Sequence, residues 1–219
     1  MKISDEKRQL LKLYRDSSLA EKLKIYARII FNFDQIKKHL DNFIPAEGNV
    51  LDWGCGYGIF ANYLRLKNPK LNVVGFDISK VRIEEANKTT PLLGVKFTSD
   101  PSEIKFDSFK LVLLIDVLLF LPVDEKKSLL KTIYTSLEKG GIVFIKDTLK
   151  SESLRFKWTK FEESLKLKFG VYGKNVKSGL HYIEVDELTG ILEGIRYEIV
   201  DVIPETHIIY PGVFVIARK

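Results

Sequence analysis

Cysteine is nearly absent from the sequence: Cys55 is the single one among 219 residues. One thiol excludes an internal disulfide framework and any zinc site built on several thiolates. Long apolar runs are also missing. The longest, residues 111–123, is interrupted by Asp116 and falls short of the roughly 18 to 20 residues that cross a bilayer. The first residues are charged rather than apolar, which predicts no signal peptide. We therefore expect a cytoplasmic protein without a membrane span.

A strong charge imbalance is absent too. Lys and Arg number 35 against 29 Asp and Glu, which gives a net charge of +6. The lysines are scattered along the chain, a pattern typical of a solvated basic surface, and a nucleic-acid-binding face is the less favoured interpretation. Hydrophobic residues make up 45% of the chain, which excludes a disordered protein and provides for a full core. The length predicts a single domain over residues 1–219.

The first 45 residues are predicted to form an N-terminal helical cap. Asn32 or Asp34 is predicted to break the helical segment, and Asp34 is predicted to cap a short helix that ends at Leu40. Before it, apolar residues recur at steps of three or four, and this periodicity predicts a helix face that packs on the core. That face consists of Leu19, Leu23, Tyr26, Ile30 and Phe33.

From residue 49 the pattern alternates between short apolar strands and amphipathic helices. This alternation predicts an α/β fold with a doubly wound, mostly parallel sheet and helices on both faces. Gly140 and Gly141 are predicted to end a helix, and Ile78 and Ile83 are predicted to staple the start of another. The predicted strands are residues 50–53, 71–76, 95–98, 109–115, 142–145, 195–203 and 207–218, and the main helices are 59–67 and 124–138.

The last two of these seven strands are separated by three residues only. A link this short permits a hairpin but no parallel crossover, so we expect an antiparallel C-terminal pair. Between the fifth and sixth strands, residues 151–187 are rich in aromatic side chains and end in a glycine-containing loop. We interpret this segment as a lid over an acceptor site, and a helix that packs its aromatics on the sheet is the alternative. His181, in that loop, is the best candidate for a general base, although an exposed loop histidine is the plainer interpretation.

A glycine-rich turn lies between the strand at 50–53 and the helix at 59–67. Glycines in such a turn let the backbone bend sharply and let a ligand approach the main chain. The dinucleotide fingerprint G-x-G-x-x-G would need glycine where Ile59 stands, so a nicotinamide dehydrogenase is a poor match. Asp52, two residues before Gly54, would favour a cationic ligand over a pyrophosphate.

The run from Asp52 to Gly58, D-x-G-x-G-x-G, resembles the first motif of the class I S-adenosylmethionine-dependent methyltransferases. Asp77 and Asp116 follow the second and fourth strands, as the acidic residues of that family do. The resemblance covers residues 45–150 and 190–219, and it implies a Rossmann-like fold with S-adenosylmethionine as cofactor and S-adenosylhomocysteine as product. The cofactor-binding residues that it implies are Asp52, Gly54, Cys55, Gly56, Gly58, Asp77, Ile78, Asp100 and Asp116.

Particular roles come with the resemblance. A carboxylate at the place of Asp77 holds both ribose hydroxyls in that family, since it has two acceptor oxygens. Ile78 would lie against the adenine, and Asp100 would accept from the adenine amine. Helix capping is the ordinary alternative for Asp52, and turn formation is the alternative for Asp77 and Asp100. Cys55 is interpreted as a small packed residue rather than a nucleophile.

The fourth motif departs from the family's pattern, because Leu119 and Phe120 replace the usual histidine pair. Asp116 and Asp147 end neighbouring predicted strands, but no third carboxylate is evident, so we expect no metal. Tyr14 and Arg28 are weaker candidates to reach the cofactor carboxylate.

The predicted function is methyl transfer to a small-molecule or lipid-like acceptor. The alternatives are an RNA or protein methyltransferase and a non-catalytic protein that binds the cofactor. Nucleic acid is thus an open but less favoured partner.

Overall fold

The computed structural model describes residues 3–105, 108–148, 179–205 and 212–219. The chain divides into two compact units. The first comprises Met1–Lys105 and Phe109–Leu111, and the second comprises Phe106–Ser108 and Val112–Lys219. The division into a cap at 1–45 and a lid at 151–187 within one domain stays a prediction.

Seven strands form one mixed sheet with helices around it, which confirms the predicted fold class. The strands are β1 (Gly48–Trp53), β2 (Leu71–Phe76), β3 (Lys96–Thr98), β4 (Phe109–Ile115), β5 (Leu137–Thr148), β6 (Glu198–Glu205) and β7 (Gly212–Arg218). They are ordered β3-β2-β1-β4-β5-β7-β6. The helices are α1 (Asp5–Leu13), α2 (Leu19–Phe31), α3 (Phe33–Leu40), α4 (Ile59–Lys67), α5 (Lys80–Asn87), α6 (Thr90–Leu93), α7 (Val123–Ser136) and α8 (Val185–Ile195).

The first unit contains the parallel start of the sheet. β1 pairs with β2 and β2 pairs with β3, both in parallel register, and Trp53 lies opposite Phe76 at the carboxyl ends of the first pair. α4 leaves the turn after β1 and buries Tyr63 and Leu64, as its periodicity predicts. Segments that follow β1 and β2 therefore meet at one edge of the sheet.

The predicted core face is wrong at its start in α2, although its last member, Phe33, is buried. Leu19 and Leu23 are 76% and 65% exposed, and the helix buries Ile25 and Ile29 instead. Apolar residues lie on both sides of this helix, so the periodicity alone does not decide which face is buried. The predicted cap of the next helix also differs, because Asn32 occupies the N-cap of α3 and makes no side-chain bond there.

The second unit contains the antiparallel edge of the sheet. β7 pairs with β5 and with β6, both antiparallel, so it lies between them. This confirms the predicted antiparallel pair, while the link at 206–211 lies outside the described residues. Ile195 was predicted to start a strand, but it ends α8, and Arg196 follows in a left-handed conformation that stops the helix.

Gly140 and Gly141 do not end a helix as predicted. α7 ends at Ser136, and both glycines lie inside β5, where their backbones bond with Lys219. α8 was not predicted, although Val185, Leu188 and Leu192 recur at helical steps and the helix buries Leu188 and Leu192. Residues 151–178, most of the segment predicted to form a lid, lie outside the described part. In the ranges that are described, no helix has both the length and the apolar character needed to cross a membrane.

Candidate functional site

The glycine turn of the first unit is folded tightly against the end of β2. The backbone N–H groups of Gly54 and Cys55 both donate to the carbonyl of Phe76, at 2.7 and 2.8 Å. The Gly58 N–H donates to the carbonyl of Cys55 at 2.9 Å and leads into α4. Gly54, Gly56 and Gly58 all have positive φ angles, which explains why the turn is built from glycine.

Two of these glycines have different surroundings. A Cβ atom at Gly58 would lie 2.4 Å from the Phe97 ring, so packing requires glycine there. A Cβ atom at Gly56 would have only Arg28 Nη1 within 4 Å, at 3.6 Å. The backbone at Gly56 is therefore open to the close approach of a ligand, and a guanidinium lies beside it.

Asp77 is buried and is oriented by the turn. Its Oδ2 accepts from the Gly56 N–H at 2.9 Å, and its Oδ1 accepts from the Ser79 N–H at 2.8 Å. The guanidinium of Arg82 lies 3.8 Å from Oδ2. Each carboxylate oxygen has two acceptor positions, so the group retains the capacity to accept from two vicinal hydroxyls. The geometry fits the role that the family resemblance implies for this residue.

Asp52 is a second buried carboxylate in the same unit. Its Oδ2 accepts from the Ala61 N–H in the first turn of α4, at 3.2 Å. Burial raises the pKa of Asp52 to about 7, with a further contribution from Asp77, while the Ala61 N–H and Arg28 partly offset the rise. A nearby positive charge would favour the ionised form. Asp52 thus caps α4, as the alternative interpretation expected, and its carboxylate also provides a negative charge suited to a cationic ligand.

Cys55 fits a packing role. Burial and the carboxylates of Asp52 and Asp77 raise the pKa of its thiol well above the usual value, which disfavours a thiolate nucleophile. The thiol is close enough to donate weakly to the Gly56 carbonyl, at 3.8 Å.

Ile78 and Asp100 are more exposed than the two buried carboxylates. Ile78 is 52% exposed while Ile83 is buried, and the predicted hydrophobic staple between them stays a prediction. An exposed apolar side chain next to Asp77 is available to a flat apolar ligand. Asp100 accepts from both the hydroxyl and the backbone N–H of Ser102, and these bonds lower its pKa. Asp100 thus forms the turn that the alternative interpretation expected.

Tyr57 joins the N-terminal helices to the glycine turn, a feature that the sequence analysis missed. Its carbonyl accepts from the buried hydroxyl of Tyr14 at 2.8 Å, and its own hydroxyl donates to Glu21. Asn62 also donates to the Tyr14 hydroxyl, at 2.9 Å. Tyr14 is 1% exposed, so it is a structural residue and the suggestion that it reaches the cofactor carboxylate is wrong.

In the second unit, Asp116 is held by Lys146. Asp116 follows β4 in a left-handed conformation, which is uncommon for a residue with a side chain and is frequent at functional sites. Its N–H donates to the Lys146 carbonyl at 2.8 Å, and its Oδ1 lies 2.7 Å from Lys146 Nζ. Glu205 Oε2 lies 3.4 Å from the same ammonium. Burial opposes the charge on Lys146, but the two carboxylates outweigh it and raise the pKa of this lysine.

His181 is tied to the same turn through its backbone. Its N–H donates to the Leu119 carbonyl at 2.7 Å, and its own carbonyl accepts from the ammonium of Lys126. The Leu119 N–H donates to Asp147 Oδ2 at 3.1 Å. Burial, together with Asp116, raises the pKa of Asp147 to about 7. Within the described ranges, no cluster of three or more His, Cys, Asp or Glu residues is placed to hold a metal ion.

Comparison with known proteins identifies the family. A family model described as a methyltransferase domain matches residues 26–202. Carboxy-S-adenosyl-L-methionine synthase of Actinobacillus succinogenes is 29% identical over 127 residues, which are 53% of this chain and 49% of that protein. Ribosomal RNA small subunit methyltransferase C of Photobacterium profundum is 38% identical over 78 residues, or 33% of this chain and 23% of that protein. The chain thus spans about half the length of the synthase and less than a quarter of the ribosomal RNA enzyme.

Solved structures show the same fold. Magnesium protoporphyrin IX methyltransferase from Synechocystis PCC 6803, crystallised with bound SAH, matches with a TM-score of 0.65 at 17% identity. The match covers 98% of this chain and 100% of that one. The family model covers far more than half of the sequence, and the glycine turn and Asp77 fit the motifs from which the family was predicted. The chain belongs to the methyltransferase-domain family of S-adenosylmethionine-dependent methyltransferases.

Proposed function

We propose that this protein transfers a methyl group from S-adenosylmethionine to a small-molecule or lipid-like acceptor by in-line displacement. The observation that carries the proposal is the convergence of Asp77 and an open glycine backbone at Gly56, with the buried Asp52 nearby. When bound, S-adenosylmethionine supplies an electrophilic methyl group on a sulfonium and leaves as a neutral thioether. Its positive charge suits a site with two buried carboxylates.

The residues of the first unit divide the binding of this cofactor among them. Asp77 accepts from the ribose hydroxyls, and the glycine turn leaves room for the backbone to approach. Asp52 provides negative charge for the cationic end. Arg28, whose guanidinium lies beside Gly56, is suited to the cofactor carboxylate. Ile78 offers its exposed side chain to the adenine.

Asp100 and Asp116 are also proposed to bind the cofactor, and a different observation supports each of them. Asp100 keeps the role of acceptor for the adenine amine, because a carboxylate oxygen that accepts from Ser102 still has acceptor capacity. Asp116 is oriented by Lys146, and its conformation is typical of residues at functional sites.

For the methyl acceptor, we expect the protein to contribute orientation rather than acid catalysis. A neutral leaving group needs no proton, so the chain's main tasks are to orient the acceptor and to exclude water. A general base is needed only when the acceptor must lose a proton. His181 is the proposed base, supported by the anchoring of its backbone to Leu119 and Lys126. The proposed lid at 151–187 rests on its aromatic composition.

An RNA acceptor is the second candidate. The similarity of 78 residues to a ribosomal RNA methyltransferase favours it, whereas the scattered lysines disfavour it. Tight RNA binding that weakens steeply with salt would support this alternative. Binding of the cofactor without turnover on a broad panel of acceptors would support a non-catalytic role.

Calorimetric titration with S-adenosylmethionine and S-adenosylhomocysteine tests the proposal. We expect micromolar binding by the wild type and at least about tenfold weaker binding by Asp77→Ala, a change of roughly 1.4 kcal/mol. Asp5→Ala, which removes an exposed aspartate of α1 in the same unit, is the matched control and should bind normally. The formation of S-adenosylhomocysteine with small-molecule, lipid and RNA acceptors then identifies the substrate class. A folded wild type that binds neither ligand would contradict the proposal, and a nicotinamide dinucleotide would be the next ligand to titrate.

A further inference from the structure

Tyr57 ties helix α2 to the glycine turn of the first unit. Its hydroxyl donates to Oε2 of Glu21, in the first turn of α2. Tyr57 is 6% exposed and the Glu21 side chain is 15% exposed, so most of the solvent is kept away from this bond. A hydrogen bond from a hydroxyl to a carboxylate is among the stronger ones that proteins make. The contact therefore fixes the start of α2 on the turn.

Both partners of this bond are in the protonation state that it requires. Burial raises the pKa of the Tyr57 hydroxyl and Glu21 raises it further, so the hydroxyl keeps its proton. Burial opposes the charge on Glu21, but hydrogen bonds from Lys24 and Tyr57 outweigh it and lower the pKa of this carboxyl. The Lys24 ammonium lies 2.7 Å from Glu21 Oε1, so the other carboxylate oxygen is the one that receives Tyr57.

Tyr57 is itself held from two other sides. Its carbonyl accepts from the Tyr14 hydroxyl at 2.8 Å, after the end of α1. The guanidinium of Arg82, in α5, lies 5.9 Å from the centre of the Tyr57 ring, within the range of a cation–π contact. Three elements thus fix this one residue, which directly follows Gly56 in the turn.

Arg28 brings α2 to the same turn at a second point. Glu21 and Arg28 are seven residues apart, or about two helical turns, so their side chains leave α2 on one face. Arg28 Nη1 lies 3.6 Å from the place that a Cβ atom would take at Gly56. Burial raises the pKa of Tyr57 and of Asp52, and the charge of Arg28 partly offsets the rise at both. The guanidinium is thus close to the turn, on a helix whose start is fixed at Glu21.

We propose that Tyr57 is a positioning residue for cofactor binding: through Glu21 it fixes α2, and so places Arg28 for the carboxylate of the cofactor's amino-acid end. This role rests on the proposed function, because that carboxylate is the partner assigned to Arg28 there. A guanidinium binds a carboxylate best through two parallel N–H donors, a geometry that tolerates little misplacement. A helix that is already held in place reduces the ordering that binding must still bring about.

The proposed role affects one end of the ligand only. Asp77, which is proposed to hold the ribose, is oriented by the N–H groups of Gly56 and Ser79. Tyr57→Phe changes neither donor, and it keeps the ring that faces Arg82. The variant should therefore lose affinity at the amino-acid end of the cofactor and keep its affinity at the adenosine end.

Calorimetric titration with two ligands tests the role. S-adenosylhomocysteine carries the amino-acid end, and methylthioadenosine has the same adenosine and thioether without it. Tyr57→Phe should weaken the binding of S-adenosylhomocysteine at least about fivefold and that of methylthioadenosine less than about twofold. Glu21→Gln, whose amide oxygen can still accept from Tyr57, should keep more affinity for S-adenosylhomocysteine than Glu21→Ala.

Tyr63→Phe is the matched control. It removes a hydroxyl that also donates to a carboxylate of the first unit, that of Asp41, and it should bind both ligands like the wild type. Arg28→Ala shows whether Tyr57 acts through Arg28. In the Arg28→Ala background, Tyr57→Phe should have little further effect on the binding of S-adenosylhomocysteine, because the interaction that it positions is already absent.

Three results would overturn the positioning role of Tyr57. They are an unchanged affinity of Tyr57→Phe for S-adenosylhomocysteine, an equal loss of affinity for both ligands, and the same loss in the presence and absence of Arg28. Each of them presupposes a wild type that binds S-adenosylhomocysteine. A folded wild type that binds neither ligand would instead contradict the proposed function, and the role of Tyr57 with it.

Discussion

Binding of S-adenosylmethionine should tighten about six- to eightfold between pH 6.0 and pH 7.5, because Asp52 titrates in this range. Burial raises the pKa of this carboxyl to about 7, so at pH 6.0 most of the free protein carries a neutral Asp52. A cationic ligand binds better to the ionised form. Binding must therefore lower the pKa of Asp52 and release a proton.

The magnitude follows from the ionised fraction. With a pKa of about 7, about 9% of Asp52 is ionised at pH 6.0 and about 76% at pH 7.5. A positive charge that bound about 5 Å from the carboxylate, at an effective dielectric constant of about 20, would stabilise it by about 3 kcal/mol, or about two pKa units. The bound carboxylate is then ionised throughout the range, so the affinity follows the ionised fraction of the free protein. The ligand's amino group works in the opposite direction, with an ordinary pKa of about 7.7–8.0, so its partial deprotonation at pH 7.5 reduces the expected gain to about sixfold at the least.

Calorimetry in two buffers of different ionisation enthalpy measures both the affinity and the number of protons released on binding. Near pH 7 the wild type should release about half a proton per ligand bound. Asp52→Asn is the control, and it should bind more weakly with an affinity that is nearly independent of pH over this range. A wild-type affinity that does not change with pH, or the same pH dependence in the variant, would refute the assignment of this titration to Asp52.

Two further predictions concern stability. Gly58→Ala should lower the thermal unfolding midpoint by about 4–12 °C. Residue 58 has a positive φ angle, which disfavours alanine, and the new Cβ atom would collide with the Phe97 ring. Gly140→Ala has a similar φ angle but nothing within 4 Å, so it should lower the midpoint by only about 2–4 °C, and equal losses would contradict the packing argument. Lys146→Met should destabilise the protein in urea unfolding by about 3 kcal/mol, because it leaves Asp116 and a second carboxylate without their cation. Lys146→Arg should retain most of this stability, and a methionine variant as stable as the arginine variant would count against the ion pair.

The elements with clear local signals were predicted to the residue. α4 begins directly after Gly58 and ends before Asn68, and β2 and β4 are short apolar runs between polar segments. The meeting of Asp77 with the glycine turn was also predictable. Each follows one of two adjacent parallel strands, and parallel strands bring their carboxyl ends to one edge.

The remaining features depend on contacts between distant parts of the sequence. Lys146 and Asp116 are 30 residues apart, and no local pattern indicates that a lysine inside a buried strand has this partner. Tyr14 likewise bonds to Tyr57 across 43 residues. The orientation of α2 could not be predicted, because apolar residues on both of its faces make two orientations equally favourable.

The position of β7 has a consequence for the order in which this protein folds during synthesis. β6 is translated before β7, yet β7 lies between β5 and β6. When β6 leaves the ribosome, the neighbour with which it pairs does not yet exist, and the edge of β5 is unpaired as well. An uncovered strand edge invites pairing with other chains. A chain whose translation stalls before Gly212 would therefore expose two unpaired edges, which makes it a substrate for chaperones and a source of aggregation.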